Sequence, residues 1–470
     1  MSAGNARPKP HVFPEYCKGC GRCIEACPKD CITMGTEVHP VTGLIPVLFD
    51  QDACNGCGLC MSACPEPYGL RVVGPEGEFE LEDPAKLFGP RSTTAKKCED
   101  QAGERMALEP MKPLVIKGNY ASAIGALLSG CRHFFGYPIT PSTEGAELMA
   151  RLLPQLDGVF FQAVSEVAAV NMMYGCGGAG LPCMTFTSSP GFSLMLEGVS
   201  YMVGAEVPAV FVDVMRGGPG LGNIAPEQSD IKLACHGLGH GSTQCITLAP
   251  STPQEMLDCT MLAFELTFKY RNPVVILADG YLGQMTGKVM LPDHMLKPGL
   301  PGWAVWGDEA HRGNLINSIN LTEFDLEKHN QHLERKYNEI KKNEQRAELF
   351  QCEDAEHLLI ACNTPAQMTK GAIEELRAEG IKAGLVKPIT LWPFPIEELK
   401  KLLPRARSIT VVEASMGQLE DEVRLALSHA GITAPPPLHH VRRMGGVLPQ
   451  MSEIVAGIKA VAGNTERRAA

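Results

Sequence analysis

The 470-residue sequence predicts an α/β protein. A doubly wound parallel sheet is followed by a second, smaller α/β unit, and a short cysteine-rich α+β domain precedes both. Three observations carry this prediction. From Leu114 onward, apolar runs of strand length alternate with stretches of helix length, the pattern of a parallel sheet with crossover helices. Polar or glycine-rich loops follow the strands, where such sheets bind ligands. The spacing C-x2-C-x2-C-x3-C-P also occurs twice near the start.

The cysteine runs are Cys17-x2-Cys20-x2-Cys23-x3-Cys27-Pro28 and Cys54-x2-Cys57-x2-Cys60-x3-Cys64-Pro65. This is the bacterial ferredoxin spacing for two four-iron, four-sulfur clusters, in which the fourth cysteine of each run serves the other cluster. One cluster is therefore assigned Cys17, Cys20, Cys23 and Cys64. The other takes Cys54, Cys57, Cys60 and Cys27. Gly19, Gly21, Gly56 and Gly58 let the backbone wrap closely around sulfur. A pair of zinc sites would separate two C-x2-C pairs by a longer loop, and would explain neither the third close cysteine nor the repeated Cys-Pro. Cys31 lies outside the pattern and reads as a buried thiol.

The chain divides into residues 1–74, the cluster domain; 75–112, a proline-rich and charged tether; 113–280, the first α/β domain; 281–350, a connector; and 351–470, the second α/β unit. In the cluster domain, Thr33-Met34 and the Val38–Phe49 stretch supply short strands. In the first α/β domain, strands are expected at Leu114–Ile116, His133–Phe135, Val159–Gln162, Cys183–Phe186, Ala209–Val214, Cys245–Leu248 and Val274–Ala278. A long loop precedes Cys245. The connector ends in a helix from Glu323 to about Leu349, charged on most faces, which suits a solvated strut or a clamp on a neighbouring subunit. In the last unit, strands fall at Leu358–Cys362, Ala383–Val386 and Ile409–Val412, and Asn363-Thr364-Pro365 reads as a helix N-cap.

The totals exclude several functions. A net charge of −11 gives no support for nucleic-acid or anionic-lipid binding. No apolar leader opens the chain, and no stretch of about 18 apolar residues could span a bilayer. Eighteen cysteines, eight in clusters and the rest scattered, fit a reducing cytoplasm.

Residues 114–280 resemble the alpha subunit of the 2-oxoacid:ferredoxin oxidoreductases. The resemblance runs through GYPITPST (Gly136–Thr143), QAVSEVAAVN (Gln162–Asn171), TSSPGFSLML (Thr187–Leu196), RGGPGLGNIAP (Arg216–Pro226) and KYRNPVVILADGYLG (Lys269–Gly283), and continues into TLWPFP (Thr390–Pro395). It is strongest toward the branched-chain, 2-oxoisovalerate type, with 2-oxoglutarate and arylglyoxylate enzymes as alternatives. The cysteine domain resembles the family's small ferredoxin subunit, here fused in front. The resemblance implies a pyrimidine-type thiamine diphosphate fold at 113–280 and a transketolase C-terminal-like fold at 351–470. It also implies coenzyme A-dependent oxidative decarboxylation, with electrons leaving through the clusters to ferredoxin. A non-catalytic electron-transfer subunit that kept the fold is the reading of another class; the presence of Glu166 and Arg216 counts against it.

The same resemblance points to site residues. It implies that Glu166 contacts N1′ of the aminopyrimidine, although an acid at a helix start is also favoured by the helix dipole alone. It assigns Arg216 the substrate carboxylate, which a guanidinium can grip through two parallel hydrogen bonds; a salt-bridged surface arginine is the plainer alternative. Thr140 becomes a candidate donor to the substrate, or else a turn hydroxyl. Pro138, Ile139, Ser188 and Ser189 become cleft residues. The family binds diphosphate through Mg2+ with a Gly-Asp-Gly motif and a later asparagine. This chain offers only Ala278-Asp279-Gly280 and no suitable asparagine. The resemblance therefore implies a beta subunit that holds the Mg2+ and shares the thiamine diphosphate, a gamma subunit, and assembly as a dimer of heteromers.

Overall fold

The computed structural model describes residues 9–40, 42–66, 69–72, 100 and 103–469. The chain forms two compact units, Met1–Ala95 and Lys96–Ala470. Most of the expected tether, residues 75–99, lies outside the described residues.

In the first unit, Ile32–Met34 pairs antiparallel with Val47–Phe49, and Pro10–Val12 pairs antiparallel with Leu70–Val72. The second ladder was not expected, because three-residue strands at the two ends of a domain leave no periodic signal. Helices Arg22–Glu25 and Leu59–Ala63 each follow a glycine in the left-handed region, Gly21 at φ 76° and Gly58 at φ 78°. A side chain would be strained there. Among its described residues, the buried apolar ones are Cys23, Cys31, Ile32, Val47, Cys60 and Leu70. Half of them are cysteines.

The second unit is built on a seven-stranded sheet. Its order is Thr390–Trp392, Ile246–Leu248, Val274–Asp279, Val210–Met215, Cys183–Thr187, His133–Gly136, Val159–Gln162. The first strand is antiparallel and the other six are parallel. The central strands VFVDVM and VVILAD are buried along their whole length, as helices on both faces require of a parallel sheet. Helix Pro253–Tyr270 starts at a capping threonine: Thr252 Oγ1 accepts the Glu255 N–H at 3.1 Å, with Pro253 next in line. Helix Gly118–Leu128 packs on it through small residues, with Ser122 and Thr260 hydroxyls 2.8 Å apart.

A five-stranded sheet follows in the same unit, in the order Ala347–Phe350, Ala383–Pro388, His357–Ile360, Ser408–Glu413, Leu438–Arg442. Its first strand is antiparallel to the rest. Side chains tie the two sheets together. Asn363 Nδ2 donates to Leu277 O at 2.8 Å and Pro250 O at 2.9 Å. Lys387, almost wholly buried, reaches Glu255 at 2.5 Å and Glu348 at 2.6 Å.

Several expectations need correction. Leu114–Lys117 does not join the main sheet; it pairs with Thr286–Val289. Glu104–Ala107, expected as tether, pairs with His294–Lys297. The charged helix stops at Asn343, and Ala347–Phe350 becomes an edge strand. That helix is more than a strut: Leu333, Lys336, Tyr337 and Ile340 are buried, an i, i+3, i+4, i+7 stripe against its own unit. Lys336 also meets Glu206 at 3.1 Å. Asn363 is no cap. It sits at φ 55° inside the first turn, and its side chain is spent between the sheets. A short helix, Ile231–His236, lies within the expected loop before Cys245. Among the described residues, no helix is long and apolar enough to cross a membrane.

Candidate functional site

The cysteines of the first unit gather in two crossed groups. Cys64, Cys17 and Cys20 are the acidic neighbours of Cys23, and Cys17, Cys20, Cys23 and Cys64 line one small cavity. Cys27, Cys54 and Cys57 are the neighbours of Cys60. This is the four-and-four division drawn from spacing. Among the described residues, no group of three or more His, Cys, Asp or Glu side chains converges as a single metal ion would need. In the first group the four thiols share that cavity, as a cubane's ligands would. Backbone N–H groups approach sulfur: Val47 N to Cys17 Sγ at 3.5 Å and Gly56 N to Cys54 Sγ at 3.3 Å. The residues therefore fit two four-iron clusters. Cys31 is buried, as expected, but it is not isolated. Its sulfur lies 3.2 Å from Cys27 Sγ, and burial, then Cys27, push its thiol up to about 12.

In the second unit, the parallel strands run in the chain order 2-1-3-4-6-5 across the sheet. The order reverses beside His133–Gly136, and crossovers leave in opposite directions there. A crevice opens at the carboxyl ends of the strands at such a point. The loops that follow four of these strands carry the candidates. Loop 136–143 holds Pro138, Ile139 and Thr140, with Pro138 and Thr140 exposed. After Val159–Gln162 comes Glu166, the first residue of helix Glu166–Gly178 and only 4% exposed. After Cys183–Thr187 come the buried Ser188 and Ser189, and after Val210–Met215 comes Arg216, also buried.

The valines that flank Glu166 in sequence are exposed rather than packed around its acid. Val164 is 88% exposed and Val167 faces outward, because the first turn of the helix points its acid inward and its valines away. Ser165 caps the helix, its Oγ accepting from Ala168 N at 3.3 Å. The Glu166 carboxyl lies against helix Ser189–Ala205. A Cβ placed on Gly191 would stand 2.6 Å from Glu166 Oε1 and 2.5 Å from Thr187 Oγ1. The glycine of TSSPG therefore makes room for the acid, a role the sequence reading missed.

Arg216 Nη1 donates to Thr140 O at 2.9 Å, and Nη2 donates to Leu221 O at 3.2 Å. Thr140 thus meets Arg216 through its carbonyl, leaving its hydroxyl for another partner. Thr187 Oγ1, Ser188 Oγ and Arg216 Nε are buried and without hydrogen-bond partners. Buried polar groups are normally satisfied, so three orphans in adjoining loops mark a place built to receive a polar molecule. Ser189 departs from expectation: its hydroxyl turns into the protein, donating to Asp230 Oδ2 at 2.5 Å.

Asp279 is fully engaged. It accepts from Tyr281 N, Leu282 N, Thr364 N and Thr364 Oγ1, all at 2.8 to 3.0 Å. It is wholly buried, caps one helix and ties another. A cavity of about 1490 Å3 lies elsewhere, flanked by His240, His329, Tyr337, Trp392 and Glu422. Neither Glu166 nor Arg216 lines it, so the strand ends, where the orphaned polar groups are, remain the candidate site.

Comparison with known proteins bears on both units. The 4Fe-4S dicluster domain model matches residues 16–67. The pyruvate flavodoxin/ferredoxin oxidoreductase thiamine diphosphate-binding model matches 124–349, and the pyruvate:ferredoxin oxidoreductase core domain II model matches 355–454. Ketoisovalerate oxidoreductase subunit VorB of Methanothermobacter marburgensis is 44% identical over 357 residues, covering 76% of this chain and 99% of that protein. 2-Oxoglutarate synthase subunit KorA of Methanocaldococcus jannaschii is 37% identical, over 67% of this chain and 91% of that one. Among solved structures, the 2-oxoglutarate:ferredoxin oxidoreductase of Magnetococcus marinus, with 2-oxoglutarate, coenzyme A and succinyl-CoA bound, superposes with a TM-score of 0.65 at 28% identity. That match covers 75% of this chain and 66% of the other.

Proposed function

The chain belongs to the 2-oxoacid:ferredoxin oxidoreductase family, and we propose that it forms one wall of the thiamine diphosphate site, and the iron–sulfur path, of a complex oxidising a branched-chain 2-oxoacid. The products are the acyl-coenzyme A and carbon dioxide. The single observation that supports the reading is that Glu166, Arg216 and the three buried polar atoms without partners all follow the carboxyl ends of strands of one sheet.

Bound thiamine diphosphate supplies the electron sink for loss of carbon dioxide. The chain's own residues do the rest. Glu166, held by its helix and by the space at Gly191, holds a proton in exchange with the aminopyrimidine N1′. Arg216 is anchored by two loop carbonyls, and its Nε is the donor without a partner. That edge takes the 1-carboxylate, with Thr140 beside it. Pro138 and Ile139 bound the same loop, and Ser188 offers a buried hydroxyl. Cys17, Cys20, Cys23 and Cys64 would hold one four-iron cluster, and Cys54, Cys57, Cys60 and Cys27 the other, and these would supply one-electron transfer toward soluble ferredoxin.

Loops 136–143, 162–166, 187–191 and 216–226 contain one cation among them, Arg216. A second substrate carboxylate would find no partner there and would be costly to bury. This favours an apolar side chain over that of 2-oxoglutarate. The relatives are named as subunits, so chains of this kind work in multi-subunit complexes. The structural use of the buried Asp279 between two helices supports a beta subunit carrying the Mg2+–diphosphate half-site. A gamma subunit, assembly as a dimer of heteromers and a cytoplasmic setting complete the reading.

A panel of 2-oxoacids tests it. In the purified complex, 2-oxoisovalerate and its near neighbours should have similar kcat/KM, since each buried methylene contributes only about 0.8 kcal/mol, and 2-oxoglutarate should be poor. A complex that prefers 2-oxoglutarate would mean that another element brings a second cation into the crevice.

A further inference from the structure

Strand Val210–Met215 leads into Arg216 and is buried throughout. One of its side chains is an acid. Asp213 has no solvent exposure, and its Oδ1 accepts the Ser189 N–H at 2.9 Å. Its Oδ2 is sealed from solvent with no donor to accept from. The group it faces is a second buried carboxyl, Asp230, at the start of helix Ile231–His236. Asp230 is better supplied. Its Oδ2 accepts from Ser189 Oγ at 2.5 Å and has Ser229 Oγ at 3.0 Å. Among the described residues neither acid forms an ion pair, and the next charge, Glu227, is also negative.

Two carboxylates facing one another in a dry site do not both stay ionised. The donors decide which keeps its charge. The Ser189 hydroxyl bond favours an ionised Asp230, whereas Asp213 Oδ2 has nothing to accept and needs a proton of its own. Burial, then the facing Asp230, push Asp213 well above the ordinary carboxylate range.

We propose that Asp213 is a neutral carboxylic acid donating to an ionised Asp230, and that the pair positions Arg216. The connection is short. Ser189 Oγ gives its proton to Asp230, and its lone pair accepts the Arg216 N–H at 3.1 Å. Ser229 Oγ stands 2.9 Å from Arg216 O. The Arg216 N–H is thus held by a hydroxyl that the acid pair orients, and its carbonyl by the neighbouring Ser229 hydroxyl. Ser189 N is held by Asp213 as well, which fixes the first turn of the helix that carries Gly191. The positioning role rests on the reading of Arg216 as the holder of the substrate carboxylate.

The test uses the purified holo-complex and three variants. The infrared difference between wild type and Asp213→Asn should contain the carbonyl stretch of a buried, protonated carboxylic acid at neutral pH. Asp213→Ala should raise KM for every 2-oxoacid more than it lowers kcat, for a loss in kcat/KM on the order of a hundredfold, the size expected when a buried polar partner is removed. Asp213→Asn should restore kcat/KM to within about threefold, because its amide N–H replaces the acid O–H toward Asp230 while its oxygen still accepts from Ser189. If Asn is as damaging as Ala, or the infrared band is absent, Asp213 is ionised and the proposal falls. Arg216→Ala separates the two readings. An unchanged KM in that variant, with the band present, overturns the substrate role of Arg216 and with it the positioning role. An absent band overturns the acid pair whatever Arg216 does.

Discussion

The cluster unit and the α/β unit hold their functional groups at different ranges along the chain. In the first, every ligand lies between Cys17 and Cys64, on loops shaped by a few glycines and short helices. Among its described residues, the apolar core is six residues, three of them cysteines. In the second, Glu166, Thr187 and Arg216 sit at the ends of three strands, on a sheet whose central strands are sealed on both faces. A small domain with so little apolar burial depends on what it binds for its stability. A large one holds its site open with its own core. Damage should therefore spread differently: lost ligands should undo the first unit's fold, and lost site residues should cost the second its chemistry alone.

The largest effect is expected in the cluster unit. Cys54→Ser should lower iron from about eight to about four per chain. Hydrogen exchange should then show lost protection across residues 9–72, with strand Val210–Met215 still protected. Full protection of both regions would erase the contrast.

Lys387→Met probes the opposite unit where its core is most charged. Removing the lysine leaves two partly exposed carboxylates and is expected to cost about 1.5–3 kcal/mol in unfolding free energy. A pH dependence should change with it. Burial alone would raise the Glu348 carboxyl, but bonds to Lys370 and Lys387 outweigh that and hold it below its ordinary range. Its contribution is present above the unfolded-state pKa and is lost as pH falls through the lowered value. In Lys387→Met the acid limb of the stability curve should flatten. An unaltered limb would place the carboxylate's stabilisation with Lys370.

Gly191→Ala is the smallest change and the sharpest. The added methyl would collide with Glu166 Oε1 and Thr187 Oγ1. Stability should fall by about 1–3 kcal/mol, as for overpacking, and kcat should fall more than the same loss of stability would explain. An ordinary kcat would mean that the Glu166 carboxyl tolerates displacement.

The two units also differed in how plainly they could be read from sequence. The crossed cysteine groups were visible because four ligands at fixed spacing are a local pattern. The four central parallel strands were visible because a strand buried on both faces is a continuous apolar run. What escaped was made by contacts distant in sequence. Pro10–Val12 and Leu70–Val72, and Glu104–Ala107 and His294–Lys297, are short pairs in which neither partner carries a signal alone. Asn363 looked like a cap because its neighbours did; only the packing of two sheets shows it spent on Leu277 and Pro250. Ser189 looked like a cleft residue until Asp230, on another loop, claimed its hydroxyl. Glu166 and Arg216 were named through family resemblance, and the room at Gly191 and the orphaned Thr187, Ser188 and Arg216 atoms supply the physical support that resemblance lacked.

The central claim is that Glu166 governs the proton state of the bound cofactor. The direct measurement is the rate of hydrogen–deuterium exchange at the thiazolium C2 of thiamine diphosphate in the assembled complex, by rapid quench and NMR, for wild type and Glu166→Gln. The account predicts a fall of about 10²-fold or more, the range of acid–base catalysis by a placed side chain, with cofactor still bound. Exchange at the wild-type rate in Glu166→Gln would contradict it and leave Glu166 as the first residue of a helix.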